Sequence, residues 1–303
     1  MIEPPTTSSP SLRAIALSAA YADTPPEVQR EATACPARLT GADRRLLENA
    51  VVVITGGAGA IGSATATALS AVGSRVVIAD SDYEAAAALE KKLRKAGGNA
   101  SAWSVDVTSP ETVRRFAEEI GEEFDRIDVV INGAGIMKAD PFLEMRFEDW
   151  QRVFRVNVDG TFLVTQAIAR VMVKQEHHPS LDRAGLILCV SSIAAAMGRP
   201  IVAAYGASKA AIDHLAKTSS VTLGPSGIST LVVYPPTVKA GMWSGEVARM
   251  AEIEGVSVED LEAQRRFESA DDIAGVIVDA IAKPGLQLNG HLVLWTRDVG
   301  PLP

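Results

Sequence analysis

Tyr205 and Lys209 stand four positions apart at the head of a run of helix formers, Ala210, Ala211, Ile212 and Leu215. Residues i and i+4 share a face of a helix, so a phenol and an ammonium would project side by side. A free phenol has a pKa of about 10, and a neighbouring cation favours the phenolate by roughly 1–3 pH units. A tyrosine brought toward neutrality can take a proton from an alcohol oxygen or return it. Ser192 lies just beyond the apolar run Leu186-Ile187-Leu188-Cys189-Val190. That run predicts a buried strand, and ligands of open α/β sheets bind at the carboxyl ends of strands. Tyr–Lys pairs at this spacing also occur on ordinary surface helices, so the elements upstream decide what this one means.

The first of these is the β-branched run Val51 to Ile54, followed by Thr55-Gly56-Gly57-Ala58-Gly59-Ala60-Ile61-Gly62 and an alanine-rich helix to about Val72. Strand, glycine turn and helix in this order predict a dinucleotide-binding unit, because glycines admit a pyrophosphate to the backbone and the helix N-terminus holds its charge. The next strand, Arg75 to Ala79, ends at Asp80. A carboxylate about twenty residues past the glycines can accept from the adenosine ribose hydroxyls. It would repel a 2′-phosphate, and the turn carries no Arg or Lys. The pattern therefore favours NAD over NADP.

Alternation continues. A helix over Tyr83 to Ala96 stops at Gly97-Gly98, a strand covers Ala102 to Val105, and Thr108 or Ser109 caps a helix with Pro110 in its first turn. A fourth strand, Ile127 to Ile131, leads into Asn132-Gly133-Ala134-Gly135. A long amphipathic helix is predicted over Phe147 to Lys174, with Asn157 in its middle, an unfavourable place for a short amide. A sixth strand, Ile228 to Val233, meets Pro235-Pro236; helical patterns at Val258–Arg266 and Asp271–Ala282 precede a last strand, Gly290 to Trp295. The fold class is α/β: a doubly wound parallel sheet of about seven strands with helices on both faces.

Length and composition set the outer bounds. A chain of 303 residues can bury a full core as one domain with an appendage. A net charge of −8 argues against a nucleic-acid partner. Two cysteines, Cys35 and Cys189, make no disulfide framework, which points to a cytoplasmic setting. No apolar run reaches the roughly 18–20 residues of a membrane span. The short run Leu12 to Ala20 lacks a cationic flank and is interrupted by Arg13, so it does not read as a signal peptide. Residues 1–45, punctuated by prolines and without periodicity, read as a disordered extension or as an arm over the site or a neighbouring subunit. The catalytic unit then spans 46–303, with a substrate loop over about 236–268.

Taken together, the turn at 55–62, Asp80, Asp106, the 132–135 tetrapeptide, Asn157, Ser192, Tyr205 and Lys209 resemble the short-chain dehydrogenases/reductases over roughly residues 46–298. The resemblance implies hydride transfer between NAD(H) and a secondary alcohol or ketone, with Tyr205 as general acid/base. Ser192 would bind the reacting oxygen, and Lys209 would hold the nicotinamide ribose and lower the tyrosine pKa. Asn157 would keep a water that passes protons to solvent. Gly56, Gly59, Ile61 and Gly62 would line the pyrophosphate, Asp80 the ribose, Asp106 and Val107 the adenine. Asn132, Ala134, Gly135, Pro235 and Val238 complete the implied cofactor set. A homodimer or homotetramer is also implied, through the long helices after strands four and five.

Four positions depart from the family pattern: Ala60, Gly133, Pro236 with Ala240, and Thr296-Arg297. Pro236 has no N–H and Ala240 no hydroxyl, which unsettles the carboxamide contacts. A non-redox dehydration or isomerisation by the same tyrosine stays open for that reason, as does a catalytically silent cofactor-binding subunit. His177 and His178 have no partners at metal-ligand spacing, and no metal is expected. His214 reads as a packing or solvent residue. Met242, Trp243 and Met250 line either an apolar substrate pocket or a subunit contact; Lys138 and Arg199 read as surface charges near the pocket.

Overall fold

Parallel strands buried on both faces read as continuous β-branched and aliphatic runs, and here those runs pair in a single sheet. The computed structural model describes residues 45–196, 198, 200–265, 267–282 and 291–293. The expected extension, apart from Arg45, lies outside the described residues, as do Arg199 and Thr296-Arg297. Six strands make the body of the sheet: β1 (Val51–Thr55), β2 (Arg75–Asp80), β3 (Asn99–Ser104), β4 (Val129–Asn132), β5 (Gly185–Val190) and β6 (Ile228–Val233). The short β7 (His291–Val293) joins the edge, giving the order β3-β2-β1-β4-β5-β6-β7, all parallel. Strand order reverses between β1 and β4, and this switch point opens a crevice at the carboxyl ends.

Alternate side chains of each strand feed two cores. Val52, Ile54, Ile78, Ile131 and Leu188 pack with helices α1 (Ala60–Ala71), α2 (Tyr83–Lys95) and, near the C-terminus, Ala270–Ile281. Val51, Val53, Val77, Val130 and Ile187 pack against α3 (Pro110–Phe124) and the helices that follow β4 and β5. Ser109 caps α3, accepting from the Thr112 N–H at 3.3 Å, and Pro110 fills the first turn. Among the described residues no helix is long and apolar enough to cross a membrane.

The helix expected over Phe147 to Lys174 is broken in two. α4 (Phe147–Phe154) and α5 (Gly160–Met172) are joined by a π turn at Arg155–Asp159. Asn157 lies in that turn, fully buried, where its side chain bonds to groups outside the helix. Single π turns of this kind accompany functional sites. β4 starts two residues later than expected, because the Ile127 N–H goes to the Gln175 side chain at 2.8 Å instead of to a neighbouring strand. After β5 comes α6 (Ala203–Leu223), which carries Tyr205 and Lys209.

The segment expected as a substrate loop is largely helical. α7 (Met242–Glu254) and α8 (Val258–Ala263) precede α9 (Ala270–Ile281). Trp243, Val247, Met250 and Ala251 form an apolar stripe at three- and four-residue spacing. The stripe packs with Leu261, Ala139 and Val202 as a small third core.

The starts of β1 and β4 are tied by a buried carboxylate. Asp128, 1% exposed, accepts the Val51 N–H at 2.8 Å and the Arg126 Nε–H at 2.7 Å. Asp128→Ala leaves the β1 donor unpaired, and a loss of about 2–3 kcal/mol is expected in urea denaturation. A midpoint equal to wild type would show that water replaces the carboxylate there.

Candidate active site

The first turn is built backbone against backbone. Gly56 has φ +64°, and a Cβ there would sit 2.8 Å from the Ala134 backbone. A Cβ on Gly62 would come within 2.2 Å of the Gly56 carbonyl oxygen. Thr55 stitches this turn to the loop after β4, its Oγ1 accepting the N–H groups of Gly133 at 3.2 Å and Ala134 at 3.4 Å. The N-cap of α1 is Gly59, whose lack of a side chain leaves the first N–H groups uncapped by any side-chain oxygen. A positively polarised helix end behind a cradle that any Cβ would fill fits a pyrophosphate.

From that cradle a cavity of about 670 Å³ runs along the carboxyl ends of the strands. At one end stand Asp80, Asp82, Asp106 and Val107. Asp80 accepts from the Ala58 N–H and from the Asp82 N–H, each at 3.0 Å, which fixes its carboxylate beside the turn. Gly56, Gly59, Ile61, Gly62, Ala134, Gly135, Pro235 and Val238 also line the cavity. Asn132 does not. Its amide turns into the sheet, donating to Thr165 Oγ1 at 3.1 Å and toward Cys189 Sγ at 3.9 Å. It therefore supports the cavity floor from below.

At the other end the strand–helix order brings Ser192, Tyr205 and Lys209 together on the cavity wall. Ser192 Oγ caps a short turn, accepting from the Ala194 N–H at 3.2 Å, and its own hydrogen faces the Tyr205 phenol. Lys209, 2% exposed, gives one N–H to the Val190 carbonyl at the tip of β5, 2.8 Å away. Its Nζ lies 5.6 Å from the centre of the Tyr205 ring. Gly135 marks where the parts converge: a Cβ there would meet Asn157 Oδ1 at 3.3 Å, Lys209 Nζ at 3.5 Å and Met242 Cε at 3.5 Å.

One expectation changes at this point. Burial pushes the Tyr205 phenol up from its ordinary value, and the hydrogen bond with Ser192 draws it back down. The phenol is therefore raised and not lowered, with the Lys209 ammonium beside its ring. Burial also pushes Lys209 itself down to about 8. Asn157 is bound through both ends of its amide. Its Oδ1 accepts from the Ile136 N–H at 2.8 Å, and its Nδ2 donates to the Ile136 carbonyl and to Ser208 Oγ, both at 2.9 Å. The amide clamps the loop after β4 to α6 and keeps one lone pair on Oδ1.

Met242, Trp243 and Met250 all line the cavity, as do Ile136, Met137, Ile193 and Ile201. Arg265 and Glu254 were not singled out from sequence, where no spacing links them. They pair at 2.9 Å on the same wall, with the guanidinium stacked 5.1 Å from the Trp243 ring centre. Lys138 faces Glu246 and Asp140 at 3.8 Å and 4.0 Å and is not part of the wall. His214 is exposed. Among the described residues no cluster of His, Cys, Asp or Glu could hold a metal ion.

The short chain dehydrogenase family model matches residues 50–251, a stretch that holds the cradle, Asp80 and the Ser192–Tyr205–Lys209 group. The chain is a short-chain dehydrogenase/reductase. It is an oxidoreductase of a family that binds a nicotinamide cofactor. It is 35% identical to a 3-oxoacyl-[acyl-carrier-protein] reductase of Synechocystis over 63% of this chain and 75% of that protein. It is 31% identical to a sorbitol dehydrogenase of Cereibacter sphaeroides over 77% of this chain and 90% of that one. Its fold matches an NAD+-bound xylitol dehydrogenase with a TM-score of 0.74 and 29% identity, covering 82% of this chain and 98% of that one.

Gly62→Ala tests the cradle. The added methyl collides with the Gly56 carbonyl, so nicotinamide dinucleotide affinity in a fluorescence titration is expected to fall at least about tenfold, a change of about 1.4 kcal/mol. Unchanged affinity would place the dinucleotide elsewhere.

Proposed function

We propose that this dehydrogenase/reductase interconverts a secondary alcohol and a ketone on a modest-sized, largely apolar substrate, using NAD(H). The observation that carries the reading is the meeting of Ser192, Tyr205 and Lys209 at one end of a cavity whose other end is the glycine cradle and Asp80. The nicotinamide, when bound, accepts the hydride from the carbinol carbon or returns it. The protein's own part is the proton and the alignment. In reduction the Tyr205 hydroxyl gives its proton to the carbonyl oxygen, and in oxidation the phenolate takes it from the alcohol. Ser192 donates to the same oxygen, while the Ala194 N–H holds one of its two lone pairs. Lys209, fixed to the end of β5, offers its remaining N–H groups to the ribose side and keeps a positive charge near the developing phenolate.

The substrate wall narrows the class. Ile136, Met137, Ile193, Ile201, Met242 and Trp243 offer no side-chain partners to a chain of hydroxyls except the Trp indole, which is committed to Glu262 at 3.2 Å, and the charged pair on the same wall, Arg265 and Glu254, is committed to itself at 2.9 Å. Each hydroxyl buried without a partner costs about 1–3 kcal/mol. A ketone with an apolar body suits this wall better than a polyol. The preference for NAD rests on charge: the cations lining the cavity among the described residues are Lys209 and Arg265, both away from Asp80, Asp82 and Asp106. A 2′-phosphate at that end would meet carboxylates. The similar fold of the NAD+-bound xylitol dehydrogenase points the same way. Assembly as a homo-oligomer through the faces of α4 to α6 belongs to this reading, supported by Phe147 and Phe162, which are exposed there.

Tyr205→Phe is expected to lower turnover at least about a thousandfold in a screen of apolar secondary alcohols and ketones, with NADH affinity within about twofold of wild type. Retained turnover would remove the tyrosine from the chemistry. Asp80→Ala is expected to weaken NAD binding about tenfold and to narrow its advantage over NADP, since one charged hydrogen-bond acceptor is lost. A wild-type enzyme that binds NADP more tightly than NAD would overturn the charge argument.

A further inference from the structure

The stretch that follows β6 forms a continuous wall of the cavity, from Pro235 and Pro236 through Val238 to Met242 and Trp243. Pro236 has no N–H to give, and the hold on this stretch comes from another part of the chain. The end of α8 and the link to α9 lie alongside it. Glu268 donates its N–H to the Thr237 carbonyl at 3.0 Å, and Val238 and Glu268 form a parallel bridge. Glu262 divides its carboxylate between two partners. Its Oε1 accepts the Trp243 indole N–H at 3.2 Å, and its Oε2 pairs with Lys239 Nζ at 2.7 Å. The Arg265 guanidinium lies 5.1 Å from the centre of the indole, and the Phe267 ring meets the indole edge to face, with centres 5.1 Å apart.

These contacts set Trp243 apart from the other apolar side chains of the wall. Met137, Met242 and Met250 are unbranched thioethers that rotate about three bonds and reshape around what they meet. An indole turns about two side-chain bonds, and this one is held at its N–H by Glu262 and against Arg265 and Phe267. A rigid ring among yielding neighbours sets the limit of the space. Trp243 also belongs to the small third core, against which Tyr205 packs, so the wall and the reacting end share one frame.

We propose that Trp243 sets how long an apolar body the cavity admits, and that Glu262 is the positioning residue that holds the indole in place. This rests on the assignment of the apolar end of the cavity to the substrate. It narrows the substrate class to ketones and secondary alcohols whose apolar body ends at the indole. Glu262 acts through the indole N–H and does not itself touch the ligand. A carboxylate suits that task because charge-assisted hydrogen bonds are shorter and stronger than neutral ones, and Lys239 balances its charge.

The test uses full-length protein saturated with NAD+, with straight-chain methyl ketones from butanone to decanone as probes. A ketone and the oxidised cofactor exchange no hydride, so ligand-observed NMR titration reads affinity alone. In wild type, affinity is expected to rise about fourfold with each added methylene and to stop rising where the chain meets the indole. In Trp243→Leu the rise is expected to continue over about two further methylenes, leaving the longer ketones at least about tenfold tighter than in wild type. Glu262→Ala is expected to move the limit in the same direction, and the double variant to behave as Trp243→Leu alone, because Glu262 acts through the ring. Glu262→Gln keeps an acceptor for the indole N–H and is expected to return the limit toward wild type. A merely structural role for Glu262 would weaken every ketone alike without moving the limit, and that result overturns the proposal. A limit unmoved in Trp243→Leu also overturns it. If that variant does not fold, Trp243→Phe, which keeps a ring in the third core, replaces it with an expected extension of about one methylene. A wild type that binds none of the series removes the substrate assignment and this proposal together, whereas binding with an unmoved limit removes only the role of Trp243. No readout involves hydride transfer, so the Tyr205 assignment stands or falls separately.

Discussion

A lysine ammonium with 2% of its surface exposed, held 2.8 Å from the last carbonyl of β5, is the interaction on which this site depends. Water would solvate that charge far better than a protein interior does. It stays because the fold supplies substitutes: a strand carbonyl below and the tyrosine ring alongside. Each substitute comes from an element whose position is set by the sheet. β5 must end where it does, and α6 must return antiparallel across it, for the ammonium to find its partner. The geometry is therefore a consequence of parallel strands and right-handed crossovers.

The two ends of the cavity are stabilised in different ways. The dinucleotide end is backbone chemistry, with glycines packed so closely that a single Cβ would separate β1 from the loop after β4. The substrate end is side-chain chemistry on a separate small core, Trp243, Met250 and Leu261 with the loops after β4 and β5. Arg265 stacked on Trp243 and tied to Glu254, and Lys239 paired with Glu262 at 2.7 Å, fasten that small core from outside. The two ends rest on separate apolar cores. The relatives' names, which run from an acyl reductase to a sugar alcohol dehydrogenase, fit such a division.

Asn157 shows how one residue joins these layers. A short amide in mid-helix is locally unfavourable, and here the helix opens into a π turn around it. Its amide bonds to Ile136 and Ser208, so the loop that follows β4 and the helix that carries Tyr205 are clamped by one group. The local cost is offset by a fixed distance between these two elements.

Much of this was legible from residue types and spacing. Continuous β-branched runs mark strands buried on both faces, the glycine turn marks the first crossover, and a phenol four residues from an ammonium marks a pair that the fold brings to the cavity wall. These signals are local, and local physics determines them: strand and helix period, the room a glycine leaves, the charge at a helix end. Other features needed the folded chain. Asn132 turning into the sheet, Asn157 joining Ile136 to Ser208, the Ser192 hydrogen bond at the buried Tyr205 phenol, and Arg265 meeting Glu254 and Trp243 all depend on the folded chain. So does the helix α7, whose apolar stripe has meaning only against Val202 and Leu261. Sequence pattern determined which groups are present and on which element; only packing decided which of them face the cavity, because desolvation and hydrogen-bond partners are properties of the assembled interior.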